Sequence, residues 1–118
     1  MVKVLIIDDD PEICETFSDV LKYAAYEVHV LLSGADAFRV LPRLVPQVVL
    51  LDMQMPGVSG VVLLSFIRHL RRLARTKVII ISGHPEMALS AQQTWGADLF
   101  LAKPVHPRLL LESVASCL

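Results

Sequence analysis

A chain of 118 residues has the size of one ordinary domain, which leaves no room within it for a second catalytic or DNA-binding domain. Its formal net charge of −1 excludes a general attraction to nucleic acid or membranes, and no apolar run reaches the roughly 20 residues that span a bilayer. Hydrophobic residues make up 54% of the chain, so we expect surplus apolar surface to contact a partner. The first residues do not resemble a signal peptide, and the expected location is the cytoplasm.

Strand-like apolar runs alternate with helix-like patterns along the whole chain. The first run, residues 2–7, is continuously aliphatic, which is typical of a strand buried on both faces. Asp10 and Pro11 then predict a helix start, while Ser33 and Ser59 are predicted caps of two later helices. Pro42 should end or kink the second helix, because proline lacks a backbone N–H. In chain order the predicted elements are strand 2–7, helix 11–26, strand 27–32, helix 33–41, strand 47–51, helix 60–75, strand 77–81, helix 85–94, strand 99–102 and helix 107–117.

This strict alternation predicts an α/β fold in which every strand is parallel to its neighbours. Right-handed crossovers and short loops then favour a doubly wound five-stranded sheet of the (βα)5, flavodoxin-like kind with strand order 2-1-3-4-5. We expect residues 1–118 to form one such domain. In these sheets ligands bind beyond the carboxyl ends of the strands, where the strand order reverses, which here lies between the first and third strands.

Four predicted strands end in a reactive or charged side chain. The segments read KVLIIDDD, VVLLDMQMP, VIIISG and LFLAKP, and they place Asp8 and Asp9, then Asp52, Ser82 and Lys103 at the strand ends. In a parallel sheet these groups converge on one edge. Crowded carboxylates repel one another unless a cation lies between them, and Mg²⁺ prefers such oxygen ligands. The sequence therefore predicts a magnesium site there.

The same groups suit phosphoryl transfer. Asp52 is placed to act as a carboxylate nucleophile toward phosphorus. Ser82 can donate a hydrogen bond to one phosphoryl oxygen, and Lys103 can pair with another. These residues would position charge around an aspartyl phosphate.

With these motifs the chain resembles bacterial two-component response-regulator receiver domains of the chemotaxis-regulator-like kind, and LDMQMPGVSG around Asp52 is the most specific segment. The resemblance implies that Asp8 and Asp9 are the acidic metal pair and that Asp52 is the phospho-acceptor. It also implies a backbone carbonyl of Gln54 as a metal ligand and a cis bond before Pro104. The implied switch residues are Ser82 and Phe100, and the implied invariant lysine is Lys103.

The implied function is a phosphorelay in which a sensor histidine kinase or phosphotransfer protein phosphorylates Asp52 in the presence of Mg²⁺. Phosphorylation would switch the surface of the fourth helix, fifth strand and fifth helix to control an output domain or target protein. The chain is then a signalling domain rather than an enzyme, with no direct contact to nucleic acid or membrane, and homodimer formation is left open.

Two other classes of function share parts of this pattern. A phosphorylation-independent pseudo-receiver would keep the fold as an interaction module, but the set of site residues is complete. A phosphatase of the haloacid dehalogenase-like kind needs a second acid two residues after its nucleophile, and this chain has Gln54 there.

Several residues have competing interpretations. Asp10 fits a helix cap better than a metal ligand. His84 is expected on the rim of the site, and Trp95 is equally compatible with burial and with an interaction surface. The basic residues from Arg68 to Lys77 are expected to form a solvated face rather than a docking patch. The fourth helix offers Met87, Leu89 and Trp95 for an apolar contact.

Overall fold

The computed structural model describes the backbone of residues 1–118 and the side chains at every position except 87, 88 and 91. Five parallel strands form one sheet in the order β2-β1-β3-β4-β5, which confirms the predicted fold class. The strands are β1 (Lys3–Ile7), β2 (Glu27–Leu31), β3 (Val48–Asp52), β4 (Lys77–Ser82) and β5 (Leu99–Ala102).

Helices cover both faces of this sheet. They are α1 (Pro11–Tyr23), α2 (Ala37–Leu44), α3 (Gly60–His69), α4 (Pro85–Trp95) and α5 (Pro107–Cys117), and a short 3₁₀ turn, Arg71–Leu73, follows α3. Buried residues of α1 and α5 pack with Val4 and Ile6 of β1 on one face. Those of α2 and α3 pack with Leu5 and Ile7 on the other face. Successive residues of β1 thus face opposite cores, which explains why its sequence is continuously apolar.

The second helix differs from the sequence-based prediction. Ser33 does not cap it, because the Ser33 hydroxyl accepts a hydrogen bond from the Ala35 N–H, and the helix begins only at Ala37. It also continues through Pro42 to Leu44 instead of ending at Leu41. Proline costs this helix one backbone hydrogen bond, and the helix continues without it. At eight residues it is nevertheless short, as predicted.

Arg68 joins four elements at the edge of the sheet where the strands begin. Its Nε donates to the Gly96 carbonyl oxygen at 2.9 Å, and its Nη1 donates to the Thr76 carbonyl oxygen at 2.7 Å. Its Nη2 lies 2.7 Å from Asp98 Oδ2, which also accepts the Val78 N–H at 2.8 Å. The prediction of a solvated Arg68 was therefore wrong, since the side chain links the end of α3 to the end of α4 and to the starts of β4 and β5.

No helix among the described residues is both long and apolar enough to cross a bilayer.

Candidate functional site

Three carboxylates meet where β1 and β3 end. Asp8 follows β1 directly, Asp52 is the last residue of β3, and the two strands are neighbours in the sheet. One oxygen from each of Asp8, Asp9 and Asp52 lies within 4.8 Å of the other two. Asp8 and Asp52 are only 2% and 3% exposed, whereas Asp9 is exposed, so the acidic cluster opens to solvent on one side.

Lys103 is the cation that faces this cluster. Its Nζ lies 3.4 Å from Asp8 Oδ2 and 3.4 Å from Asp52 Oδ1. The residue directly follows β5, and its backbone N–H donates to the Ser82 carbonyl oxygen at the end of β4. The bond between Lys103 and Pro104 is cis, as the family resemblance implies.

Burial and charge act against each other on the ionisation of this cluster. Burial raises the pKa of the Asp52 carboxyl, and the nearby Asp8 charge acts in the same direction. The Gln54 N–H, which donates to Asp52 Oδ1, and the Lys103 charge offset part of that rise. Burial alone would lower the pKa of Lys103, but the charges of Asp8 and Asp52 outweigh it, so the lysine pKa is raised.

The loops after the strands hold the carboxylates in place. The Asp10 N–H donates to Asp8 Oδ1 at 2.9 Å, which leaves Oδ2 as the oxygen that meets Lys103. The Gln54 N–H and the Lys103 ammonium both contact Asp52 through its Oδ1. Asp10 itself caps α1, since its Oδ1 accepts the N–H groups of Glu12 and Ile13, as predicted.

Ser82 ends β4 and is fully buried, but its hydroxyl is bonded to its own loop. Its Oγ accepts the His84 N–H at 2.9 Å and lies 3.4 Å from the His84 carbonyl oxygen. Both contacts stay within the loop, and neither brings the hydroxyl to the carboxylates. His84 is exposed and occupies the cap position of α4, without a side-chain hydrogen bond to that helix.

The remaining predicted residues lie farther along the sheet or in the loops. Phe100 and Trp95 are partly buried against the core under α2 and α3. Gln54 is exposed in the loop after β3, and its proposed carbonyl contact to a metal stays a prediction. Leu89 is 51% exposed, and the side chain of Met87 lies outside the described residues.

Two residues beside the acidic cluster were not predicted to lie there. Cys14 of α1 is buried with its Sγ 3.3 Å from the Asp8 carbonyl oxygen. Burial, with the charges of Asp8, Asp10, Asp52 and Asp9, raises the pKa of this thiol to about 11, so it stays protonated.

The second residue beside the acidic cluster is Gly60, the first residue of α3. A Cβ there would lie 2.8 Å from the Met53 Cα and 3.0 Å from the Asp52 carbonyl oxygen. Glycine thus lets α3 pack directly on the backbone that carries Asp52. A glycine at a helix start beside a serine cap was the available sequence signal.

The donors of the acidic cluster fit a hard divalent cation. Three carboxylate oxygens converge on one point, two of them from buried residues, and the single ammonium nearby cannot balance three negative charges. Oxygen donors of this kind suit Mg²⁺, which keeps several waters as further ligands.

Comparison with known proteins gives a consistent result. Residues 4–115 match the family model described as the response regulator receiver domain. The transcriptional regulatory protein GltR of Pseudomonas aeruginosa is 32% identical over 116 residues, covering 98% of this chain and 48% of GltR. The response regulator protein FleR of the same organism is 35% identical over 115 residues, covering 96% of this chain and 24% of FleR.

Solved structures agree with the strand order and helix placement. The chemotaxis protein CheY4 of Vibrio cholerae is 28% identical and superposes with a TM-score of 0.92, covering 100% of this chain and 99% of that one. The signal receiver domain of a putative Luxo repressor protein from Vibrio parahaemolyticus is 30% identical, with a TM-score of 0.88 over 98% of this chain and 88% of that one. The chain thus spans nearly all of CheY4 but about half the length of curated regulators such as GltR.

Proposed function

This chain belongs to the response regulator receiver domain family, and from that premise we propose that it accepts a phosphoryl group on Asp52 from a sensor histidine kinase or phosphotransfer protein. The observation that carries this is the position of Asp52 between two further carboxylates and the Lys103 ammonium at one edge of the sheet. In this family, that arrangement favours a signalling domain that modifies only itself.

Asp8, Asp9 and Asp52 would hold Mg²⁺, together with the backbone carbonyl of Gln54. When bound, the ion would neutralise part of the charge on these carboxylates and on the incoming phosphoryl oxygens.

The transfer itself uses an oxygen of Asp52 as the nucleophile. Since the Gln54 N–H and the Lys103 ammonium both contact Oδ1, we assign the attack to Oδ2. A bond forms between Oδ2 and phosphorus while the bond from phosphorus to the donor's histidine nitrogen breaks, and the nitrogen retains the electron pair. Lys103 would then pair with a phosphoryl oxygen, at the cost of its present contact with Asp52.

The response to phosphorylation would begin at Ser82. Its hydroxyl would have to give up its donation to the His84 carbonyl oxygen in order to donate to a phosphoryl oxygen, so the loop that starts α4 would rearrange with it. Phe100 is partly buried on β5, the neighbour of the strand that ends at Ser82, and its packing would change. The surface of α4, β5 and α5 would thereby shift between two conformations.

Gln54 and His84 lie in the two loops that flank the acidic cluster, and we propose that they set the lifetime of the phosphorylated state. A phosphatase with multiple turnovers is disfavoured, because position 54 carries an amide instead of a second acid. The pseudo-receiver alternative is disfavoured by the completeness of the acidic cluster.

Residues 1–118 would form one receiver domain, acting on an output domain or a separate target protein. A cytoplasmic location is part of the same proposal, supported by two free cysteines, Cys14 and Cys117, where an oxidising compartment favours disulfides.

The direct test is intact mass after incubation with acetyl phosphate, with and without Mg²⁺. We expect one phosphoryl adduct per chain that requires Mg²⁺ and is lost in Asp52→Ala. The matched control is Asp36→Ala, which removes an exposed carboxylate of α2's cap position and should keep the adduct.

No adduct in any condition would favour the phosphorylation-independent interaction module. Continuous release of phosphate by the unmodified chain, at many turnovers per molecule, would instead favour a phosphatase.

A further inference from the structure

Positive charge is concentrated in a part of the chain that phosphorylation does not use. Residues 53–85 contain five of the eleven Lys and Arg residues and no Asp or Glu, so the other six share the rest of the chain with all twelve acidic residues. The five basic residues lie between the last turn of α3 and the start of β4. This is the edge of the sheet where the strands begin, opposite the acidic cluster.

Two of these five basic residues share one carboxylate, Asp98, as their partner within the fold. Arg68 lies 2.7 Å from Asp98, and Lys77 Nζ lies 3.9 Å from the same carboxylate. The other three are Arg71, Arg72 and Arg75. They are exposed and form no ion pair in the part of the chain whose side chains are described. Three guanidinium groups within five residues thus face solvent without an anionic partner.

Two of these arginines also line a groove of about 230 Å³. The groove runs between the segment that precedes β4 and the loop that joins α2 to β3. The Thr76 hydroxyl donates to the Pro46 carbonyl oxygen at 2.8 Å and fixes the two walls against each other. The lining residues are Val45, Pro46, Gln47, Arg72, Arg75 and Thr76.

We propose that this groove and the adjoining Arg71, together the basic groove, bind an acidic segment of a partner protein. The planar guanidinium group pairs with a carboxylate through two parallel hydrogen bonds. Arginine beside apolar side chains such as Val45 and Pro46 is a composition enriched at protein interfaces.

The observations favour an acidic protein segment over nucleic acid. The charged patch is confined to five residues, whereas nucleic-acid surfaces follow a backbone with a longer basic track. Between Phe66 and Trp95 the sequence has no Phe, Tyr or Trp on which a base could stack. A polyanion extending beyond the groove would also meet a chain whose remaining residues carry an excess of negative charge.

Docking in the basic groove would leave the phosphorylation site open, since the two lie at opposite edges of the sheet. We therefore expect it to be independent of the state of Asp52 and sensitive to salt, because exposed ion pairs are screened. Such a surface could hold a partner near the receiver before phosphorylation.

The test is an NMR titration of the isotope-labelled chain with an oligoglutamate peptide at low and high salt. We expect shifts at residues 45–47 and 71–76, weaker at high salt. The variant Arg72→Gln/Arg75→Gln should lower the affinity about tenfold, the loss expected when charge-assisted pairs are removed. The control Arg39→Gln/Arg43→Gln removes the same charge from exposed positions of α2 and should change affinity by less than about twofold.

Three outcomes would overturn the assignment. One is the absence of peptide-induced shifts at low salt, and another is an equal loss of affinity in both double variants. The third is tighter binding of a DNA duplex, or of phosphatidylserine vesicles, than of the peptide at the same salt concentration.

Discussion

At the scale of single residues, Asp52 shows a conflict between stability and the proposed chemistry. A nucleophilic carboxylate must be ionised, yet this one is 3% exposed and lies beside Asp8. Lys103 offsets only part of the free-energy cost of ionising this buried carboxylate, as the raised pKa of Asp52 indicates. The residue is thus expected to be retained for function at the expense of folding free energy.

We therefore expect Asp52→Asn to stabilise the metal-free fold at neutral pH by on the order of 1 kcal/mol. Because the pKa of Asp52 is higher in the folded than in the unfolded chain, protonation favours folding. The stabilisation that comes from protonated Asp52 is fully present below the pKa that Asp52 has in the unfolded chain. It is lost as the pH rises through the pKa that Asp52 has in the folded chain. The higher stability of Asp52→Asn relative to the parent should accordingly vanish in acid. Urea unfolding across pH in the presence of EDTA measures it.

The matched control is Asp19→Asn, which removes an exposed charge on α1 and should have little effect. A variant Asp52→Asn that is less stable than the parent at pH 7 would mean that pairing with Lys103 outweighs burial.

The sequence was sufficient to predict which residues lie at the strand ends, but not how their side chains are oriented. Asp8, Asp52 and Lys103 converge because parallel strands place their carboxyl ends at one edge, and alternation of strands and helices suffices to foresee that. The hydroxyl of Ser82 instead bonds to the His84 N–H two residues away. Such a local bond competes with contacts across the site, and the outcome depends on loop geometry that the sequence pattern does not specify.

At the scale of the elements, the most consequential contacts are those of Arg68. Its three hydrogen bonds reach residues 8, 28 and 30 positions away in sequence. Periodicity places this arginine on the polar side of α3, and no local pattern indicates that the end of α4 and the start of β5 lie there. This is why a solvated side chain was predicted and a partly buried crosslink is found.

Arg68→Gln should lower the free energy of unfolding by about 2 kcal/mol, because a partly buried carboxylate and two carbonyl groups lose charge-assisted hydrogen bonds. The midpoint of urea unfolding at constant m-value measures the change. Arg71→Gln, at an exposed position three residues later, serves as the control and should be nearly neutral. Equal midpoints for the two variants would contradict a stabilising role for the Arg68 contacts.

At the scale of the whole molecule, the fold brings distant parts of the chain together in the acidic cluster, the proposed Mg²⁺ site. Mg²⁺ bound only by the folded chain should raise its stability, by about 2.7 kcal/mol at a concentration of 100 times Kd. The shift in melting temperature with added MgCl₂ measures this effect. Asp9→Asn should abolish most of it without unfolding the chain, because Asp9 is exposed.

Asp36→Asn, an exposed carboxylate remote from the acidic cluster in sequence, should respond to MgCl₂ as the parent does. The same thermal shift in Asp9→Asn and in the parent would place the ion elsewhere.

The order of the site residues along the chain has a consequence for synthesis. Asp8 and Asp52 emerge from the ribosome early, whereas Lys103 follows the last strand, β5. A nascent chain that ends before Lys103 carries the carboxylates without their cationic neighbour. Competence for the proposed phosphoryl transfer is thus expected to arise only after β5 and Lys103 have been synthesised, when every strand of the sheet is present.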